Sequence, residues 1–154
     1  MTAAPVPDWV NRMAITAQEL RAVPLLESIG DKELGKLAAQ VKERRYEAGD
    51  VIVKEGTGGI GFFLIVEGTA TVTIRGEERG RLKPGDTFGE LAMFDMAADR
   101  MATVVADGAL RCAGMTAWEF RPFVIGHPEV AWTMLGSIAA RLRKAEEREA
   151  AQAA

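Results

Sequence analysis

The 154-residue chain contains one cysteine, Cys112, and one histidine, His127. A single thiol cannot close an internal disulfide, and no cysteine cluster exists to hold zinc or an iron–sulfur centre. One histidine excludes multi-histidine metal sites. A Ser-His-Asp system would have to use His127 from within the turn Gly126-His127-Pro128. Basic residues are not in excess. The formal net charge is −3 and the pI about 5.3, so no chain-wide phosphate-binding surface is expected. The longest apolar run, Phe62-Phe63-Leu64-Ile65-Val66, is far too short to span a membrane. The opening Met1-Thr2-Ala3-Ala4-Pro5 has no basic segment followed by an apolar one, so no secretory signal is read there. These absences point to a cytoplasmic binding protein without a metal or cofactor, and not to an enzyme.

The content is ordinary for a globular domain, with 48% hydrophobic and 27% charged residues. The length fits one domain that can bury a core without cross-links. Sixteen glycines are the one excess. Three regions differ in period. Residues 8–42 read as helical: Asp8 stands as an N-cap before Trp9, Val10, Met13, Ala14, Ala17 and Leu20, Pro24 stops that helix, and Asp31 caps a second with Leu34, Leu37, Ala38 and Val41 on one face. Residues 43–114 read as short strands. Val51–Val53, Phe62–Val66 and Thr69–Ile74 are β-branched or apolar runs bounded by glycine, Arg75-Gly76-Glu77-Glu78 is a hairpin turn with a return to Leu82, and Thr103–Val105 and Ala109–Ala113 join through the tight-turn signal Asp107-Gly108. Residues 116–148 are helical again. Thr116 with Glu119 forms a capping box, Gly126-His127-Pro128 breaks the helix, and a longer one carries the stripe Leu135, Ile138, Leu142 and Ala145. Cys112, Trp118, Phe120 and Trp132 are expected in the core. Such order favours a small barrel or jelly roll with flanking helices over a doubly wound sheet. Residues 1–22 are an N-terminal helical extension, 23–148 the domain, and 149–154 a fraying tail.

Two glycine-bearing stretches could carry chemistry. Gly56-Thr57-Gly58-Gly59-Ile60-Gly61 matches the dinucleotide pattern, but it leads into a strand where that fingerprint must open a helix. It is read as a turn. Phe88-Gly89-Glu90-Leu91-Ala92, followed by Arg100-Met101-Ala102-Thr103-Val104, is different. Gly89 permits close backbone approach, a helical turn beginning there aims N–H groups at an anion, and Arg100 can neutralise that anion bidentately. A carboxylate would repel a phosphate, so Glu90 makes sense if the ligand also offers a hydroxyl, such as a ribose 2′-OH. The residues therefore describe a pocket for a sugar bearing one phosphate. The other reading of the same spacing is a surface ion pair between Glu90 and Arg100.

This stretch resembles the phosphate-binding cassette of cyclic nucleotide-binding domains. Gly49-Asp50-Val51-Ile52, Lys54-Glu55-Gly56, Phe62 through Gly68, and Leu82-Lys83-Pro84-Gly85-Asp86 resemble that family's other motifs in the same order. The resemblance covers residues 23–148 and is nearest to the catabolite activator type of effector domain. It implies an eight-stranded jelly roll with N-terminal helices and a C-terminal helix pair, and cAMP or cGMP as ligand, with cAMP first. On this chain it implies that Glu90 accepts the ribose hydroxyl and Arg100 pairs with the cyclic phosphate. Backbone N–H groups of Gly89, Leu91, Ala92 and Met101 would also bind phosphate, and the base would lie near Arg141, Leu142 and Ala145. Met101 stands where the family usually has Ala or Ser, which puts a long side chain beside the phosphate. Asp95 and Asp99 bring two acids to the same loop. Ala145 and Glu146 replace the hydroxyl residues that bacterial activators turn to adenine. The activators' helix-turn-helix domain has no counterpart in the sequence, so no DNA reading by this chain alone is expected. The expected partners are a cyclic nucleotide, a protein effector, and a second copy along the C-terminal helix. Two other functions fit the same fold: a protein-interaction module whose pocket binds no nucleotide, and the effector half of a transcription regulator.

Overall fold

The computed structural model describes residues 14–59, 61–95 and 97–153. The expected cap Asp8 and the apolar residues Trp9, Val10 and Met13 lie outside them. Helix α1, Ala17–Arg21, starts later than the sequence period suggests, because Thr16 is its N-cap and closes a capping box with Glu19. A 3₁₀ turn follows at Pro24–Leu26. Helix α2, Asp31–Gln40, takes Gly30 as its N-cap, so Asp31 is the first helical residue and not the cap. Its carboxylate instead accepts from Arg21 Nη2 at 2.5 Å.

Eight strands follow: β1 Lys42–Tyr46, β2 Val51–Val53, β3 Gly61–Glu67, β4 Ala70–Ile74, β5 Glu77–Leu82, β6 Thr87–Phe88, β7 Thr103–Ala106 and β8 Leu110–Thr116. They form two antiparallel four-stranded sheets, ordered β1-β8-β3-β6 and β2-β7-β4-β5. A short helix, α3 (Leu91–Phe94), stands between β6 and β7. The Asp107-Gly108 signal does not make a hairpin: β7 and β8 belong to different sheets, and the chain crosses between them there. Asp107 fixes the crossing by accepting from Thr69 Oγ1 at 2.8 Å and Thr71 Oγ1 at 2.5 Å. The β4–β5 hairpin turns on two residues, Arg75 and Gly76, both with positive φ. β5 therefore begins at Glu77, inside the stretch read as turn.

The run Phe62–Val66 is apolar throughout because β3 is covered on both faces. Phe62 and Leu64 point to the helices and Ile65 to the barrel interior. Phe62 meets Phe120 at 4.7 Å, while Phe63 stacks on Phe88 at 4.9 Å. Helix α4, Ala117–Gly126, opens with the expected Thr116–Glu119 capping box. Helix α5, Pro128–Ala153, runs straight through the stretch expected to fray. Its buried face is Val130 and Met134, one turn apart, and not the stripe through Leu135 and Leu142, which are 55% and 59% exposed. Cys112 and Phe120 are buried as expected, but Trp118 and Trp132 are exposed at 63% and 78%.

Arg111 is the fold's unanticipated element. It is fully buried on β8, where it donates to both carboxylate oxygens of Glu19 on α1, to Glu43 on β1 at 3.2 Å and to the Ala14 carbonyl at 2.8 Å. Glu19 thereby caps α1 and anchors it to the barrel at once. Isolated helices this short are unstable in water, so α1 depends on that anchor.

Candidate functional site

The cassette begins at Gly89, whose φ of +86° is a conformation that side chains rarely adopt. A Cβ there would lie 2.5 Å from the Gly61 carbonyl oxygen and 3.0 Å from Arg100 Nη1. Gly89 is therefore required both by its dihedral and by what crowds it. Glu90 follows as the α3 N-cap residue, buried to 2% exposure. The Ala92 amide donates to the Gly89 carbonyl at 3.3 Å, so one of the four expected phosphate donors has a partner within the turn.

Arg100 is held by backbone. Its own amide donates to the Thr57 carbonyl at 2.8 Å, and its carbonyl accepts from Gly56 at 2.9 Å. Its Nη2 donates to the Gly61 carbonyl at 2.9 Å, and its Nη1 is buried without a partner. A Cβ at Gly59 would come 3.0 Å from the guanidinium. The glycine run read only as a turn is thus the wall against which Arg100 lies. Among the described residues no carboxylate pairs with Arg100, and burial lowers its pKa. The surface ion pair with Glu90, open on spacing alone, is not formed.

Glu90 pairs with Arg141 of α5, whose Nη1 donates to Oε1 and whose Nη2 donates to the Thr87 carbonyl at 3.3 Å. Glu90 Oε2 is buried without a partner. Burial lowers the Arg141 pKa, with Asp86 opposing. A cleft of about 330 Å³ opens beside this pair under α5, with Leu25, Leu82, Thr87 and Ser137 in its wall.

The structure brings Gly89, Glu90, Ala92, Arg100 and Arg141 together. Leu142 and Ala145 are exposed, and neither lines the cleft. Leu91 is 41% exposed. Met101 is 67% exposed, so its side chain turns to solvent and does not narrow the pocket. Asp95 and Asp99 are exposed, which lets water screen them. His127 is a turn residue whose Nδ1 lies 3.0 Å from the Phe123 carbonyl. Among the described residues no cluster of three metal-ligating side chains occurs, and no helix is long and apolar enough to cross a membrane.

The model of the cyclic nucleotide-binding domain matches residues 43–126, and the chain belongs to that family. It is 41% identical over 103 residues to the cAMP-dependent protein kinase regulatory subunit of Mycosarcoma maydis, covering 64% of this chain and 19% of that protein. It is 38% identical over 96 residues to the Yarrowia lipolytica counterpart, covering 61% of this chain and 25% of that one. Among solved structures, the catabolite activator protein of Thermus thermophilus superposes with a TM-score of 0.71 at 25% identity, over 81% of this chain and 61% of its own. The cAMP-bound regulatory domain of Toxoplasma gondii protein kinase A gives 0.68 at 27% identity, over 79% and 48%. The chain thus spans a quarter or less of the length of these curated relatives.

Proposed function

We propose that this chain is a regulatory module that binds a cyclic nucleotide and transmits its presence through α5. The observation that carries the reading is a pair of opposite charges with buried, unpartnered atoms on either side of Gly89: Arg100 Nη1 and Glu90 Oε2. A cation buried without an anion is costly, and an acceptor buried without a donor is costly too. A sugar phosphate relieves both. The phosphate pairs with Arg100 and with backbone N–H groups of Gly89, Leu91 and Met101, and the ribose hydroxyl donates to Glu90 Oε2. The relatives' names support cAMP as the nucleotide.

The output follows from Arg141. Glu90 Oε1 is already engaged by α5, so a ligand on Oε2 shares one carboxylate with that helix. Only a ligand that favours one α5 position over another can shift its population, and this shared group supplies such a preference. On the outer face of α5, Trp132, Leu135 and Leu142 repeat at heptad spacing and suit pairing with a second copy. A protein effector would read the change.

Calorimetric titration with cAMP tests the reading. Wild type is expected to bind, and Arg100→Ala to lose binding with its melting temperature kept. Unchanged affinity after Arg100→Ala would sink it.

A further inference from the structure

We infer that the chain's own segment Ala4-Pro5-Val6-Pro7 docks as a polyproline II strand in the cleft between α2 and α4. That cleft, about 510 Å³, is lined by Leu37 and Gln40 of α2, by Trp118, Pro122 and Phe123 of α4, and by His127 just past α4. Its volume is in the range of ligand pockets, roughly 300–1,000 Å³. The fold leaves its largest side chain unused: Trp118 is 63% exposed, while Leu37 is buried. The Phe123 and His127 rings lie 4.6 Å apart, and His127 Nδ1 is held 3.0 Å from the Phe123 carbonyl, so an aromatic wall is already built.

The chemistry of the cleft selects an uncharged, apolar ligand. Glu33 pairs with Lys36 at 3.3 Å, and Glu119 is engaged in the α4 capping box, where it accepts from the Thr116 amide at 3.1 Å. No carboxylate or ammonium there is left to attract a charged group. Aromatic-lined grooves hold polyproline II segments by packing rings against proline, and the carbonyls of such a segment have no internal partners. The Trp118 indole N–H and the Gln40 amide can donate to them.

The chain carries such a ligand. Proline fixes its own φ near −65°, and the residue before a proline is driven to extended backbone. Ala4-Pro5-Val6-Pro7 therefore favours polyproline II at all four positions, and Thr2 to Pro7 bear no charged side chain. The segment also reaches. The Ala14 carbonyl accepts from Arg111 on β8. From Arg111, β8 runs five residues to Thr116, the N-cap of α4, a distance of roughly 17 Å. Val6 precedes Ala14 by eight residues, which span up to roughly 26 Å. Docked there, the segment ties α2 to α4, and α4 leads directly into α5.

The test uses the full chain. In Val6→Cys/Gln40→Cys, oxidised glutathione should close a disulfide between positions 6 and 40 of one chain. Closure should be roughly tenfold faster than in Val6→Cys/Glu78→Cys, because docking raises the effective concentration of one thiol near the other. Position 78 is on β5, in the other sheet. Cys112 is buried and does not compete. Adding Pro5→Gly/Pro7→Gly should slow closure between positions 6 and 40, because glycine frees the backbone that proline holds. A second readout needs no new cysteine. Trp9→Phe/Trp132→Phe leaves Trp118 as the single indole, and its quenching by acrylamide should rise about twofold when Pro5→Gly/Pro7→Gly is added. Equal closure rates with positions 40 and 78, bridges that join two chains instead of one, or quenching untouched by the proline substitutions would overturn the docking.

Discussion

Arg111, fully buried, and Arg100, partly buried, are two arginines of the same small barrel, and they differ in what answers their charge. Arg111 meets two carboxylates, on α1 and β1, and the carbonyl of Ala14 ahead of α1. Burial alone would lower its pKa, but the hydrogen bonds it donates to Glu19 and Glu43 outweigh that and raise it. Arg100 meets one carbonyl and no carboxylate among the described residues, and burial lowers its pKa unopposed. Taking an ion out of water costs several kcal/mol unless a partner restores it. Where the protein supplies the partner, the arginine is part of the fold. Where it does not, the arginine keeps its capacity for an anion from outside.

Arg111→Ala should show the largest effect. It leaves two carboxylates beside an apolar gap and removes the anchor of α1, so a loss of roughly 3–5 kcal/mol is expected in denaturant unfolding. Gly89→Ala comes next. Its Cβ would strike the Gly61 carbonyl at a φ of +86°, and strain of about 1–3 kcal/mol should accompany loss of nucleotide binding, read by melting and calorimetry. Arg100→Ala should change stability by less than about 1 kcal/mol, since it removes a charge the fold does not neutralise. If it costs as much as Arg111→Ala, the distinction between the two arginines fails.

A smaller effect is the response to acid. Burial would raise the Glu19 carboxyl pKa, but the hydrogen bonds from Arg111 and Thr16 outweigh it and hold the group below its usual 4.5. Its contribution is therefore present above the unfolded value and lost as pH falls through the folded one. Wild type should lose more stability on acidification below about pH 4.5 than Arg111→Ala does, as measured by urea midpoints. The smallest effect is at Cys112, whose thiol burial pushes up to about 12. It should stay unlabelled by a thiol reagent at neutral pH until the protein unfolds.

Much of the fold was legible because its signals are local. The Thr116–Glu119 capping box, the break at Gly126-His127-Pro128 and the β-branched alternation of β4 each act within a few residues. β1 and β6 were not read as strands. β1 is Lys-Glu-Arg-Arg-Tyr and β6 only two residues, and both are strands because of what pairs with them. Thr16 with Glu19 is a capping signal three residues long, which the longer apolar period masks. Residue type alone places Trp118 and Trp132 in the core, yet both are exposed, because no property of one helix says which of its faces another element will cover.

The sequence by itself determined the class of the protein. The glycine-bounded strands and the motifs from Gly49 to Val104 specify an antiparallel barrel of the cyclic nucleotide-binding family. Tertiary structure alone decided how the charges are shared. It gave Glu19 and Glu43 to Arg111 and Arg141 to Glu90, and set a wall of glycines against Arg100. Those partners lie up to 92 residues apart in the chain. A charge becomes structural or functional only when the fold fixes what faces it, and that depends on register and burial, which no local spacing encodes.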